Sequence, residues 1–269
     1  MTIFQSFLLG IIQGLTEFIP VSSTAHLLIA QRFLGIPGDD ASIAFSVLVQ
    51  LGTVLSLIIY FWQDFLTLIK AFFAKPFSTQ ENKLAWYIII ATIPALLAGY
   101  LLKDAVETLL KTQLLEAAIR LFAAAILLTL AEGLTKKNRK LDSMSWLDAL
   151  IVGIFQIIAI FPGASRSGTT ISAGMFRGFD RPSAARFAFL MSVPVMLAAG
   201  AYESLDLSKM PNLGQFLPLL AVGFVTAALV GWLAIKWLLN YLNKNPLYVF
   251  AIYCAVVGAI VLLLGNFGG

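Results

Sequence analysis

Cysteine and histidine each occur once in 269 residues, and charged residues make up only 12% of the chain. The lone Cys254 excludes an intrachain disulfide, and one cysteine with one histidine excludes a Cys/His zinc set. There is no Walker loop and no dinucleotide-binding glycine fingerprint. The net charge of +4 arises from basic residues in short loops between apolar segments, so it is no nucleic-acid signal. The amino-terminal MTIFQSFLLG lacks the basic region and small-residue cleavage site of a signal peptide, and reads as part of the mature fold.

What is abundant is apolar surface. The chain is 59% hydrophobic with a mean hydropathy of +0.90, whereas soluble domains carry about 25% charged residues. That composition predicts an all-α polytopic membrane protein. Six stretches approach the ~20 residues needed to cross a bilayer: 43–63, 84–102, 114–134, 185–202, 216–238 and 246–265. Two more apolar stretches are interrupted. Residues 3–34 are broken by Glu17, Pro20 and Ser22-Ser23-Thr24, and residues 147–176 at Pro162-Gly163, with Ser165, Arg166 and Ser167 following. Irregular backbone at membrane depth survives only where protein or a wet cavity satisfies it, so both are expected to be re-entrant helical hairpins lining an internal site.

If both hairpins enter and leave on one side, most loop lysines and arginines fall on a single face. These include Lys70, Lys75, Lys83, Lys136, Lys137, Arg139, Lys140, Arg177, Arg181, Arg186, Lys236 and Lys244, against Lys103, Lys111 and Lys209 opposite. The positive-inside rule puts the rich face in the cytoplasm and both termini outside. The halves also match. A shift of 143 lays GIIQGLTEFIPVSST on GIFQIIAIFPGASRS, pairing Gly10 with Gly153, Gln13 with Gln156 and Ser22 with Ser165. A shift of 132 pairs Gly99 with Gly231. One membrane domain, 1–269, is therefore expected to hold two inverted-topology halves, about 1–135 and 146–269, with a shared site near the midplane.

The chemistry gathers in QGLTEFIPVSSTAHL, Gln13 to Leu27. An ionisable Glu17 inside a membrane segment points to function more than to snorkelling. With Gln13 one helical turn earlier, it has the oxygens to hold a cation, position a water or set a neighbour's basicity. Ser22, Ser23 and Thr24 should cap the next helix, and a capped helix N-terminus is also an anion site. His26 lies one turn beyond Ser23, so a nucleophile, a base and an orienting group stand close in sequence. In PGASRSGTT, Arg166 offers a planar fork for phosphate oxygens, and Ser165, Ser167 and Thr170 offer hydroxyls. Glu116 and Arg120 read as a structural helix pair, Ser145-x-x-Asp148 as a capping box, and Arg177, Arg181 and Arg186 as orientation signals. Together these parts favour phosphoryl transfer or phosphoanhydride hydrolysis on a substrate entering from the bilayer. The rival is a lipid-phosphate transporter or flippase using the same anion site.

QGLTEFIPVSSTAH and PGASRSGTT, in this order and at this separation, closely resemble the two signature regions of the undecaprenyl-diphosphate phosphatases, the bacitracin-resistance type of bacterial membrane protein. The resemblance covers the whole chain. It implies release of the terminal phosphate of undecaprenyl diphosphate, which recycles the lipid carrier for peptidoglycan synthesis. It also implies a divalent cation, Mg²⁺ or Ca²⁺, and an inner-membrane enzyme whose site opens to the periplasmic face. Its acidic motif falls on Gln13 and Glu17 (metal), its serine pair on Ser22 and Ser23, its histidine on His26, and its arginine motif on Ser165, Arg166 and Ser167, with Thr170 beyond. Gln13 stands where some members have Glu, so Glu17 carries more of the metal role. The expected catalytic residues are Glu17, Ser23, His26 and Arg166, with Ser22, Thr24, Ser165, Ser167 and Thr170 binding substrate. Ser23 is the expected nucleophile, activated by Glu17 or His26; attack by water through the same residues is the other scheme. The partners implied are the lipid substrate and membrane lipids, with no nucleic acid, and a homodimer is left open.

Overall fold

A computed structural model describes residues 1–102, 114–159, 165–207 and 213–265, and the regular elements among these are all helices. The first apolar stretch forms α1 (Ile3–Phe18) and α2 (Ser23–Phe33). Thr2 opens α1 with a capping box to Gln5, and the chain turns before Pro20, whose ring favours the extended backbone seen at Ile19 (φ −63°, ψ 130°). The expected span at 43–63 is α3 (Asp40–Leu48) followed at once by α4 (Gln50–Tyr60), which together make one apolar rod from Asp40 to Tyr60. α6 (Gln80–Leu101) and α7 (Leu114–Leu134) follow.

The second interrupted stretch follows. α8 (Trp146–Ile158) and α9 (Arg166–Phe176) flank the Pro162-Gly163 break, which itself lies outside the described residues, as do Lys103, Lys111 and Lys209 and the side chain of Glu116. The long α10 (Arg181–Leu207) and α11 (Leu213–Leu242) and the final α12 (Tyr248–Gly265) complete the chain. Ser145 and Asp148 form the expected capping box at the start of α8.

Among the described residues, five helical segments are long and apolar enough to cross a membrane: Asp40–Tyr60, Gln80–Leu101, Ala117–Leu134, Arg181–Leu205 and Leu213–Leu242. They coincide with five of the six expected spans, and the sixth is the shorter apolar helix Tyr248–Leu263. The protein is a multi-pass membrane protein. One element went unforeseen. The loop after residue 63 contains α5 (Trp62–Phe72), strongly amphipathic, with Trp62 and Ile69 exposed and Leu68 buried. Such a helix suits the membrane interface.

Packing uses small residues, as expected where lipid tails compete equally for apolar surface. α1 runs along α11, and α8 along α6. A Cβ at Gly10 would lie 2.7 Å from the Gly223 carbonyl oxygen, and one at Gly153 would collide with that of Ala91. Ser56 on α4 donates to the Ala228 carbonyl of α11 at 2.7 Å, a hydrogen bond between two spans. Large apolar side chains such as Leu97, Leu229 and Ile252 remain exposed on the outer surface, where acyl chains would cover them.

Candidate active site at the hairpin tips

The two interrupted segments meet at their tips. Ser167 on α9 donates to the Ile19 carbonyl at 3.4 Å, a Cβ at Gly168 would lie 3.5 Å from Pro20 Cβ, and Arg166 reaches back to Glu17. Glu17, in the last turn of α1, is 7% exposed and holds three partners. Its Oε2 accepts from Gln13 Nε2 and from Ser23 Oγ, both at 2.8 Å, while Arg166 Nη2 stands 3.4 Å from its Oε1. The one-turn spacing of Gln13 and Glu17 explains the first contact. The turn at Pro20 explains the second, since it folds α2 back far enough to present Ser23.

The predicted capping is seen, and it falls to Ser22, whose Oγ accepts from the Ala25 N–H. Ser22 itself sits at φ 70°, ψ 91°, a conformation that costs a non-glycine residue about 1–3 kcal/mol. It thereby frees the Ser23 hydroxyl to point at Glu17. On the other tip, Ser165 caps α9 through the Gly168 N–H and lies 3.4 Å from Ser167 Oγ. Thr170 is buried and donates to the Arg166 carbonyl one turn back, so its hydroxyl steadies α9 and turns away from the tip.

The ring nitrogens of His26 bond groups other than Ser23. Its Nδ1 lies 2.8 Å from the Ser22 carbonyl, and its Nε2 is 2.7 Å from the Tyr253 hydroxyl on α12, with the two rings stacked. With Nδ1 donating to the carbonyl, Nε2 is left to accept from tyrosine, so the imidazole ties the strained Ser22 turn to α12. The group beside the serine hydroxyl is Glu17.

Beside this cluster lies a cavity of about 310 Å³ lined by Thr24, Gln50, Arg120, Gln156 and Arg166 at its polar parts and by Val47, Val195 and Met196 among its apolar walls. Arg166 belongs to both. Its Nη2 donates to Gln50 Oε1 at 3.2 Å, and its buried Nη1 has no partner. Gln50 and Tyr253 were not foreseen as neighbours of the site. Each is separated from its partner by more than a hundred residues, and no local pattern announces such a contact.

Two observations bear on a divalent cation. Gln13 Oε1 is buried and unpartnered beside the Glu17 carboxylate, and both are hard oxygen donors of the kind Mg²⁺ and Ca²⁺ prefer. Among the described residues no group of three or more His, Cys, Asp or Glu forms a protein-only cage. The donor set therefore fits an ion completed by the oxygens of a phosphate ligand, as Mg²⁺ is commonly bound.

The sequence profile described as Bacitracin resistance protein BacA matches residues 6–260. An undecaprenyl-diphosphatase of Chlorobium phaeovibrioides is 40% identical over 283 residues, covering 100% of this chain and 99% of its own. Others from Caldicellulosiruptor bescii and Moorella thermoacetica are each 40% identical, with 97% of both chains covered.

Proposed function

We infer that this chain, which belongs to the bacitracin resistance protein BacA family, is an undecaprenyl-diphosphatase. It hydrolyses undecaprenyl diphosphate to undecaprenyl phosphate and inorganic phosphate, recycling the lipid carrier for cell-wall synthesis and conferring bacitracin resistance. The observation that carries a mechanism is the Ser23 hydroxyl donating to Glu17 at 2.8 Å, with Arg166 alongside. A nucleophile hydrogen-bonded to a base, next to a permanent positive charge, is the arrangement phosphoryl transfer requires.

In this reading Ser23 Oγ attacks the terminal phosphorus as its proton passes to Glu17. The bond from that phosphorus to the bridging oxygen breaks, and the bridging oxygen leaves on undecaprenyl phosphate, which takes the proton from Glu17. Water, deprotonated by Glu17, then cleaves the phosphoserine, which releases inorganic phosphate and restores the Ser23 hydroxyl. Arg166 and the first-turn amides of α9 face the phosphate oxygens as charge develops. Ser22, Thr24, Ser165 and Ser167 shape that cradle, Thr170 ties its hydroxyl to the Arg166 carbonyl, and His26 positions the Ser22–Ser23 turn. Gln13 and Glu17 would hold Mg²⁺ or Ca²⁺, which when bound offsets phosphate charge.

The same proposal gives the layout: six spans and two re-entrant hairpins in an inverted repeat, set in the bacterial inner membrane with the site open to the periplasm. The paired helix crossings support it. The shift of 143 carries Gly10 to Gly153, and that of 132 carries Ala91 to Gly223, so the contact of α1 with α11 maps onto that of α8 with α6.

Phosphate release from undecaprenyl diphosphate by purified wild type, Ser23→Ala and Arg166→Ala tests the reading. Release that requires a divalent cation and collapses in both variants is expected. Loss with Arg166→Ala alone would move the attack to water. A folded wild type that binds the diphosphate without releasing phosphate would overturn the hydrolase and promote a flippase.

A further inference from the structure

Gln156, near the end of α8, is 1% exposed, and neither its Nε2 nor its Oε1 has a hydrogen-bond partner. It lines the cavity beside Arg166. Burying an amide with both ends unpaired is costly, and native structures seldom tolerate it without a reason. The equivalent amide in the first half, Gln13, spends its Nε2 on Glu17 four residues later. Four residues after Gln156 the sequence has Ile160, so the second half offers no carboxylate to occupy it.

The position of the cavity indicates what does. Glu17 and Ser23 are not among its lining residues, whereas Arg166 is, so the cavity continues from the reacting corner across the guanidinium. A terminal phosphate held at Ser23 leaves the second phosphate and the first carbons of the chain to extend into it. Its apolar walls, Val47, Val195 and Met196, suit an isoprenyl chain, and Gln156 stands among them as a donor suited to a phosphate oxygen.

We propose that Gln156 is a specificity-determining residue whose amide N–H binds the phosphate attached to the isoprenyl chain, the one that departs as product. This rests on the hydrolase reading for the placement of the terminal phosphate, but it is a statement about binding. One hydrogen bond to a charged phosphate corresponds to roughly a ten- to hundredfold change in affinity. Gln156→Leu and the near-isosteric Gln156→Met should therefore weaken competitive inhibition by an isoprenyl monophosphate about tenfold or more. Inhibition by inorganic phosphate should stay unchanged, because that ion occupies only the terminal site. Thermal stability should hold or rise, because an unpaired buried amide has been removed.

The experiment measures both inhibition constants and the melting temperature for wild type and the two variants. It adds equilibrium binding of the isoprenyl diphosphate to chelator-treated protein, which needs no turnover. Selective weakening of the two lipid ligands with the melting point kept supports the proposal. Equal affinities in all three proteins overturn it, as does a lower melting point in both variants, which would make Gln156 structural. A wild type that binds the diphosphate but never hydrolyses it would sink the hydrolase reading alone, and the binding comparison would still decide the role of Gln156.

Discussion

The two helices of the second hairpin carry charge at both ends, and the two ends are built on opposite terms. At the open end, Asp148 is 1% exposed and its oxygens accept from Arg139, Arg177 and Ser145, with the shortest arginine contacts at 2.7 Å. Arg139 also lies 4.4 Å from the centre of the Phe179 ring, and its backbone pairs with Gly178 and Asp180. Next to it, Glu132 accepts from Arg181, from Lys137 at 2.7 Å and from the Leu247 N–H at 3.0 Å. No buried side-chain atom of these described residues lacks a partner. About 16 Å away along α9, Arg166 makes two long contacts and keeps an unpartnered nitrogen, and Gln13 and Gln156 keep unpartnered amide atoms. A closed network braces the fold, whereas one left open is what the proposed site needs, where a ligand arrives and leaves.

The widest separation between the two ends should appear in rate. Ser23→Ala is expected to lower phosphate release by about 10³-fold or more, and Arg166→Ala by about 10²–10³-fold. Any fall in melting temperature should be small beside the loss of rate, because Ser23→Ala removes one hydrogen bond to Glu17 and Arg166→Ala only two long contacts. Adding Glu17→Gln to Ser23→Ala should cost little beyond the single change, because the two act as one unit. Initial rates and melting curves on the same preparations check this, and a multiplicative double variant would separate Glu17 from Ser23.

Asp148→Asn should show the reverse pattern. It leaves Arg139 and Arg177 without their carboxylate, and both are about a third exposed. A loss of about 2 kcal/mol in stability is expected, with turnover per folded molecule unchanged. Denaturation and active-site titration would read the two separately. A fall in turnover at full stability would mean that the open end is coupled to the tip.

Acid pH sharpens the same contrast. Burial raises the Asp148 carboxyl, but hydrogen bonds from Arg139, Ser145 and Arg177 outweigh it and hold the group well below its ordinary value of 3.8. A depressed folded-state value means that this stabilisation is complete above the unfolded value and is lost as pH falls below it toward the folded one. The melting-point gap between wild type and Asp148→Asn should therefore be constant near neutrality and shrink below about pH 4. A gap that persists unchanged at lower pH would show that the arginines do not hold the carboxylate.

The contrast also explains what could be read from the sequence. Glu17 and Arg166 announce themselves, because charge inside an apolar run has few bland explanations, and the structure brings the two together. The capping box at Ser145 is equally local. Arg177, Arg181 and Arg186 look like loop charges that only orient the chain. In the structure each pairs with a carboxylate far away in sequence: Asp148, Glu132 and Asp64. The helix α5 hides because its apolar run is interrupted in sequence by Asp64 and Lys70, which belong to its polar side. His26 shows the same limit of local reading. Its nearness to Ser23 in sequence suggests a base, but the helix turns its ring toward Tyr253, more than two hundred residues away.

The smallest effect tests whether the contrast at the tip includes backbone as well as side chains. Ser22 combines a long cap contact, 3.3 Å from its Oγ to the Ala25 N–H, with a φ of 70°. Replacing Ser22 with alanine removes the cap and keeps the strain, so about 1 kcal/mol of stability should be lost. Ser22→Gly removes the cap at a cost of a few tenths of a kcal/mol and relieves the positive φ, so stability should change by less than about 0.5 kcal/mol or rise. Activity decides the meaning. If the strain serves to aim the Ser23 hydroxyl at Glu17, the glycine variant will be as stable as wild type and slower, because a relaxed turn samples orientations that leave the base. If it is as fast as wild type, the turn is held by His26 and Tyr253 alone, and the strain at Ser22 is a by-product of folding α2 back across the tip.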